Sequence, residues 1–240
     1  MLLFLPALLL AVPGQVASPA DFSKDLVALF QAEWPRNRTV NIVCHGHSVP
    51  AGYFKTPVVQ SFDAYPHLLH RAIKERFPLA VVNVIVTAIG GENSEQGAAR
   101  FEADVLALRP DVVTLDYGLN DRRIGLERAK AAWTAMIRAA QAKKVRVVLL
   151  TPSWDLVVKP ANAADPLFRH ADQIRSLATE FRTGLADSLE AFIKANAAGK
   201  PLGDLMSQSN HPNRSGHELI LEGLRPWFGV PNVSSNGIPG

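Results

Sequence analysis

The sequence predicts an α/β fold built on one mostly parallel sheet. Apolar, β-branched runs alternate along the chain with stretches of helical periodicity. The run from Leu79 to Ile89 is interrupted only by Asn83 and Thr87, the pattern of a strand covered on both faces. Three of the runs end at glycine, at Gly46, at Gly90–Gly91 and at Gly118. Strands alternating with helices in this way give a doubly wound, flavodoxin-like three-layer α/β/α sandwich with about five strands. Its crossovers are expected to be right-handed.

Each element has its own warrant. Phe22, Leu26, Phe30 and Trp34 recur every four residues, so Asp21 to Trp34 reads as an amphipathic helix that Pro35 ends. Thr39 to Val43 is the first strand. The stretch from Ala51 to Asp63 is irregular, and its Tyr53, Phe54 and Phe62 are placed to wall a pocket. A helix spans Ala64 to Phe77 with Pro66 in its first turn. The second strand is Leu79 to Ile89, and a helix from Glu95 to Leu108 follows. Asp111 to Tyr117 is the third strand, and Leu126 to Lys143 a long Ala-rich helix. Val145 to Thr151 is the fourth strand, closed by Pro152. A helix over Leu167 to Phe181 leads to a short fifth strand at Gly184 to Asp187. Leu189 to Ala198 is helical, Gly203 to Asn213 is a loop, and Gly216 begins the last helix.

With 240 residues, 48% hydrophobic and 20% charged, the chain can bury one sizeable core. There is no internal repeat or linker, which gives one domain over 21–226. The tail, 227–240, is rich in Pro, Gly, Ser and Asn and is expected to be loose. The net charge is +3, without a dense Lys/Arg run, which argues against nucleic acid as a partner. The lone Cys44 excludes an internal disulfide. Met1 to Val12 is almost wholly apolar, and small residues at Ala17, Ser18 and Ala20 offer cleavage sites. Residues 1–20 therefore read as a signal peptide, with a mature start near Asp21, no membrane span in the mature chain, and a secreted or periplasmic location. No Lys or Arg precedes the apolar core, so a packed apolar N-terminal helix stays open as an alternative.

The chemistry-bearing residues fall just past predicted strand ends, the edge of an open α/β sheet where ligands bind. Ser48 follows the first strand, and its hydroxyl is a candidate nucleophile. Acyl transfer to a serine also needs a base for its proton and donors for the developing oxyanion. His211, in the late loop, has the titration range of a base. The Gly91 and Ser48 N–H groups and the Asn120 side-chain amide are candidate donors. Pro50 occupies the place where the α/β-hydrolase elbow needs glycine, so a tight strand–turn–helix geometry at Ser48 is not expected. His45 and His47 have no third ligand nearby in sequence, and no metal or other cofactor is expected.

Four blocks, Gly46-His47-Ser48, the glycine after the second strand, Gly118-Leu119-Asn120-Asp121 and His211-Pro212-Asn213, resemble in order and spacing the signature blocks of the SGNH/GDSL hydrolases. The resemblance spans Val40 to Leu224. It implies a flavodoxin-like fold, hydrolysis of esters or thioesters, often acetyl groups on sugars, and the roles above for Ser48, Gly91, Asn120 and His211. Gly91 is preferred over Gly90 because Gly91-Glu92-Asn93-Ser94 fits the family's stretch. Two departures stand out: His47 replaces the usual Asp before the serine, and Gln208 replaces the Asp usually found three residues before the histidine. Either a backbone carbonyl or Asp204 then orients His211, or the protein is a poor enzyme. The expected activity is a serine esterase removing a small acyl group, acetyl for preference, from a carbohydrate or small-molecule ester. The alternatives are a lipase, lysophospholipase or thioesterase of the same fold, and a catalytically silent carbohydrate-binding protein.

Overall fold

A computed structural model describes residues 16–160, 162 and 164–232. The sheet has five parallel strands: β1 (Val40–Gly46), β2 (Val82–Val86), β3 (Val112–Asp116), β4 (Arg146–Leu150) and β5 (Gly184–Ala186). Their spatial order is β2-β1-β3-β4-β5, the flavodoxin-like order, which places the switch point between β1 and β3. The flanking helices are α1 (Pro19–Gln31), α2 (Ser48–Ala51), α3 (Tyr65–Arg76), α4 (Ser94–Asp104), α5 (Gly118–Asp121), α6 (Leu126–Ala142), α7 (Pro166–Phe181), α8 (Ser188–Ala197) and α9 (Arg214–Leu224). A two-stranded antiparallel ribbon, β6 (Met206–Gln208) and β7 (His211–Pro212), lies within the expected 203–213 loop.

Successive side chains of a strand point to opposite faces, and the core divides accordingly. Ile42, Val112, Val148 and Leu150 pack with Leu26, Leu69, Ile73 and Phe192 on one side. Val43, Val113, Leu115 and Leu149 pack with Phe101, Trp133 and Ile137 on the other. Each large apolar side chain buried this way contributes roughly 1.5–3 kcal/mol relative to exposure. Among the described residues no helix is long and apolar enough to cross a membrane.

Three expectations are corrected. The Leu79–Ile89 run is not one fully buried strand: only Val82–Val86 is β2, an edge strand with Val84, Ile85 and Val86 half-buried, and Leu79, Val81 and Ile89 lie outside it, exposed. The first helix stops at Gln31, leaving Trp34 in solvent. The tail is not loose from 227 to 230. Residues Arg225–Phe228 form a 3-10 turn that buries Trp227 and Phe228, and Val230 is buried after it. Trp227 packs edge-on against Phe22 and donates to the Leu185 carbonyl at 3.1 Å. Residues 233–240 and most of the expected signal segment, 1–15, lie outside the described residues. The described fold already begins at Val16: Val16 and Ala17 pack on the core, and the Ala17 N–H donates to the Thr183 carbonyl at 3.1 Å.

Candidate active site

The site forms at the C-terminal edge of β1, β2 and β3. At Gly46 a Cβ would lie 2.5 Å from the Asp116 carbonyl oxygen of the adjacent strand, so β1 can end here only with glycine. His47 then caps α2, its Nδ1 accepting the Val49 N–H at 3.1 Å. Ser48 is the first residue of that one-turn helix, and Gly52, at φ +87°, closes it. This is the tight strand–turn–helix geometry that Pro50 was expected to prevent. Pro50 sits in the first turn, where its missing N–H removes no helical hydrogen bond.

The ribbon brings His211 to this turn. Its Nε2 lies 3.0 Å from the Ser48 Oγ, and its Nδ1 lies 3.0 Å from the Phe54 carbonyl oxygen. A carbonyl only accepts, so Nδ1 carries the proton and Nε2 presents its lone pair to the serine hydroxyl. The orienting group is therefore a backbone carbonyl, and neither Asp204 nor Gln208 takes that place. Burial of the imidazole pushes its pKa below the ordinary histidine value; the Phe54 carbonyl opposes that shift and nearby His47 adds to it.

The remaining two blocks are tied to each other. The Asn120 Nδ2 donates to the Glu92 carbonyl at 2.8 Å. The Ser94 N–H donates to the Asp121 Oδ1 at 2.7 Å, and Trp133 Nε1 occupies the other oxygen of that buried carboxylate. Asn93 starts α4 with a capping box, its side chain accepting from the Gln96 N–H while the Gln96 amide oxygen accepts the Asn93 N–H. Arg100 grips the Glu92 carboxylate. The loop after β2 is thus fixed against α5, and Asn120 keeps one amide hydrogen beyond its bond to Glu92. The Ile89 N–H donates to the Gly46 carbonyl at 3.0 Å, which sets this loop beside the Ser48 turn.

The two glycines have different reasons. At Gly90 a Cβ would lie 2.8 Å from the Tyr53 ring, and Tyr53 in turn lies against His211 with ring centroids 5.8 Å apart. Gly91 has open space around it but adopts φ +83°, which glycine accepts readily. Ser48 occupies the first position of α2, where the backbone N–H has no partner within the helix.

A cleft of about 300 Å³ opens beside Asn120, lined by Leu119, Arg122, Arg123, Asp165 and Asn210 among others. Arg122 is paired with Asp155 at 2.6 Å. Tyr117 and Trp154, near the ends of β3 and β4, are buried core side chains. His45 and His47 do not share a ligand. The His45 ring contacts Thr87 and the Gly97 carbonyl, while His47 Nε2 lies 3.4 Å from the Asp116 carboxylate. Among the described residues no group of three potential ligands gathers for a metal ion. What sequence reasoning could not assign is which carbonyl orients His211: Phe54, named there only as a pocket wall, acts through its backbone, and no side-chain pattern reports a carbonyl's direction.

The sequence profile of the GDSL-like lipase/acylhydrolase family matches residues 44–219, well over half of the chain. The chain belongs to this family. As a GDSL-family hydrolase it acts on ester bonds, and the matched segment contains Ser48, Gly91, Asn120 and His211. An acetylxylan esterase from Geobacillus stearothermophilus is 24% identical over 175 residues, which span 66% of this chain and 78% of that one. The crystal structure of Axe2, an acetylxylan esterase from the same organism, superposes with a TM-score of 0.71 at 18% identity, covering 82% of this chain and 97% of that one. LAE5, an alpha/beta hydrolase from the metagenome of Lake Arreo, gives 0.69 at 20% identity over 85% and 100%. At these identities the structural likeness concerns the fold of this GDSL-family chain, which is the flavodoxin-like sandwich its sequence predicts.

Proposed function

We propose that the protein is a serine esterase that removes an acetyl group from a carbohydrate through an acyl-enzyme. The observation that carries this reading is the Ser48 Oγ to His211 Nε2 contact of 3.0 Å, with Nδ1 held by a carbonyl. In the proposed reaction Ser48 Oγ attacks the ester carbonyl as its proton passes to His211 Nε2. The Ser48 and Gly91 N–H groups and the free Asn120 amide hydrogen receive the oxyanion. Collapse expels the sugar oxygen, protonated by His211. Water, deprotonated by the same nitrogen, then attacks the acyl-serine and releases acetate and free enzyme.

The substrate class draws on two points. A relative with 24% identity is an acetylxylan esterase, and the cleft beside Asn120 is lined by arginine, asparagine and aspartate. Such walls suit hydroxyl-rich rings better than a long acyl chain. Placement outside the cytoplasm rests on the apolar Met1–Val12 stretch alone. No cofactor enters the proposed steps.

The test is turnover of p-nitrophenyl acetate against longer-chain esters and of acetylated xylo-oligosaccharides, with fluorophosphonate labelling of wild type and Ser48→Ala. Ser48-dependent labelling, with preference for acetyl over octanoyl esters, is expected. Preference for long chains would favour a lipase. Absence of Ser48-dependent labelling and turnover, with sugar binding retained, would favour a silent binding protein.

A further inference from the structure

We infer that Gln208 is a positioning residue for the Ser48–His211 pair, acting as a clamp on the loop whose Phe54 carbonyl holds the imidazole. This rests on the esterase reading above and adds the element that fixes the carbonyl standing where the usual carboxylate would.

The contacts form a closed circuit. Gln208 and His211 face each other across the β6–β7 ribbon. The Ser207 Oγ, beside Gln208, donates to the His211 carbonyl at 3.0 Å, which stiffens the ribbon. The Gln208 Oε1 accepts the Thr56 N–H at 2.9 Å. Thr56 lies two residues from Phe54, in a loop closed on itself by Phe54 N–H to Val58 O at 3.0 Å and Val58 N–H to Lys55 O at 2.7 Å. The Phe54 carbonyl then returns to His211 Nδ1 at 3.0 Å. Among the described residues, two hydrogen bonds tie loop residues 54–58 to the rest of the chain, the one to His211 and the one to Gln208. Lys55 and Thr56 are exposed, so packing at the loop tip is slight.

A carboxylate orients an imidazole by charge as well as direction, and charge tolerates some misalignment. A carbonyl offers a dipole without net charge, so its value depends on where it points. The Gln208 amide supplies that fixity and carries no charge itself. Without it residues 54–58 keep their anchorage at the Tyr53–Val59 base, but beyond that base the remaining hydrogen bond to the site is the one the loop is meant to enforce.

The experiment compares Gln208→Leu, Gln208→Asn and Gln208→Glu in the full chain. Leucine removes the acceptor at similar size, asparagine is too short to reach Thr56, and glutamate keeps both reach and acceptor. A misplacement of about 1 Å costs on the order of 10²-fold in rate. Gln208→Leu and Gln208→Asn should therefore lower kcat by roughly 10²-fold with KM within a few-fold, and Gln208→Glu should recover most of it. The acid limb of kcat/KM should move to lower pH in the leucine and asparagine variants, because the carbonyl bond favours the imidazolium. Their low-field His211 Nδ1–H proton resonance should broaden or vanish. A purely structural role would lower the melting temperature without moving the acid limb or that resonance. Unchanged kcat and acid limb in whichever of Gln208→Leu and Gln208→Asn folds would overturn the inference while leaving the esterase reading intact. Should the wild type lack Ser48-dependent turnover, the esterase reading fails instead, and the proton resonance still decides whether Gln208 fixes the ring.

Discussion

Replacing Asn120 tests whether the block after β3 contributes to the chemistry or only to the turn. Its side chain is buried, and one amide hydrogen is spent on the Glu92 carbonyl at 2.8 Å. The other is the one assigned to the oxyanion. Asn120→Ala removes both. Losing a preorganised donor costs on the order of 10²–10³ in kcat, about 2.7–4 kcal/mol of transition-state stabilisation. Losing the Glu92 bond costs about 1 kcal/mol of folding stability, a melting shift of about 2–4 °C for a chain of this size. Asn120→Asp keeps the volume but points a carboxylate oxygen at the Glu92 carbonyl and the developing negative charge, so its kcat should fall further than that of alanine. Steady-state and burst kinetics on p-nitrophenyl acetate, with thermal unfolding of each variant, separate the two costs. An Asn120→Ala enzyme within threefold of wild-type kcat, while Ser48→Ala is inactive, would remove Asn120 from the oxyanion site.

Three further outcomes are expected. The base must be neutral to work, and burial lowers the His211 pKa from 6.5; the acid limb of kcat/KM should have its midpoint below pH 6.5, and a midpoint at or above that value would contradict the buried, carbonyl-held ring. His45 and His217 are buried, with pKa values depressed to about 4 and about 3, so the unfolded chain binds more protons below pH 6.5. Stability should then be full above that pH and fall by about 1.4 kcal/mol per pH unit per imidazole as pH drops towards 4, which urea unfolding at pH 7 and pH 5 would measure; equal midpoints at the two values would refute it. Trp227→Ala should cost about 3–5 kcal/mol, as for a buried aromatic, whereas a loose tail would give under about 0.5 kcal/mol, and chemical denaturation distinguishes the two.

The sheet was legible because its central strands are nearly pure β-branched and apolar runs, and burial on both faces writes that composition. The same signal misled at β2. Val84, Ile85 and Val86 are as apolar as central residues yet only half-buried, because position in a sheet depends on which strands pair, and composition carries no record of that. Ser48 and His211 were legible as candidates because acyl transfer needs a hydroxyl beside a base, and the structure brings those two side chains to 3.0 Å. The β6–β7 ribbon was not: strands of three and two residues show no period. In the tail, Trp227, Phe228 and Val230 were a visible apolar signal, masked by the Pro, Gly and Ser around them. The tight turn at Ser48 was missed because Pro50 was weighed against a motif rather than against its position in a first helical turn.

The exchange of a carboxylate for the Phe54 carbonyl has a chemical consequence beyond geometry. A carboxylate stabilises the imidazolium formed when the serine proton is taken, and its loss costs on the order of 10⁴ in a serine protease. A protease must also expel an amine, which leaves only when fully protonated by that imidazolium. An ester expels an alkoxide, a far better leaving group, so less proton transfer is needed as the tetrahedral species collapses. A less basic, carbonyl-held histidine stays neutral to lower pH and gives up its proton more readily to the departing alcohol oxygen. The same site should therefore cleave acetyl esters while leaving the matching acetamides intact. Side-by-side turnover of p-nitrophenyl acetate and p-nitroacetanilide measures this, and comparable rates on the two would show that His211 has the stabilisation of a full triad despite Gln208.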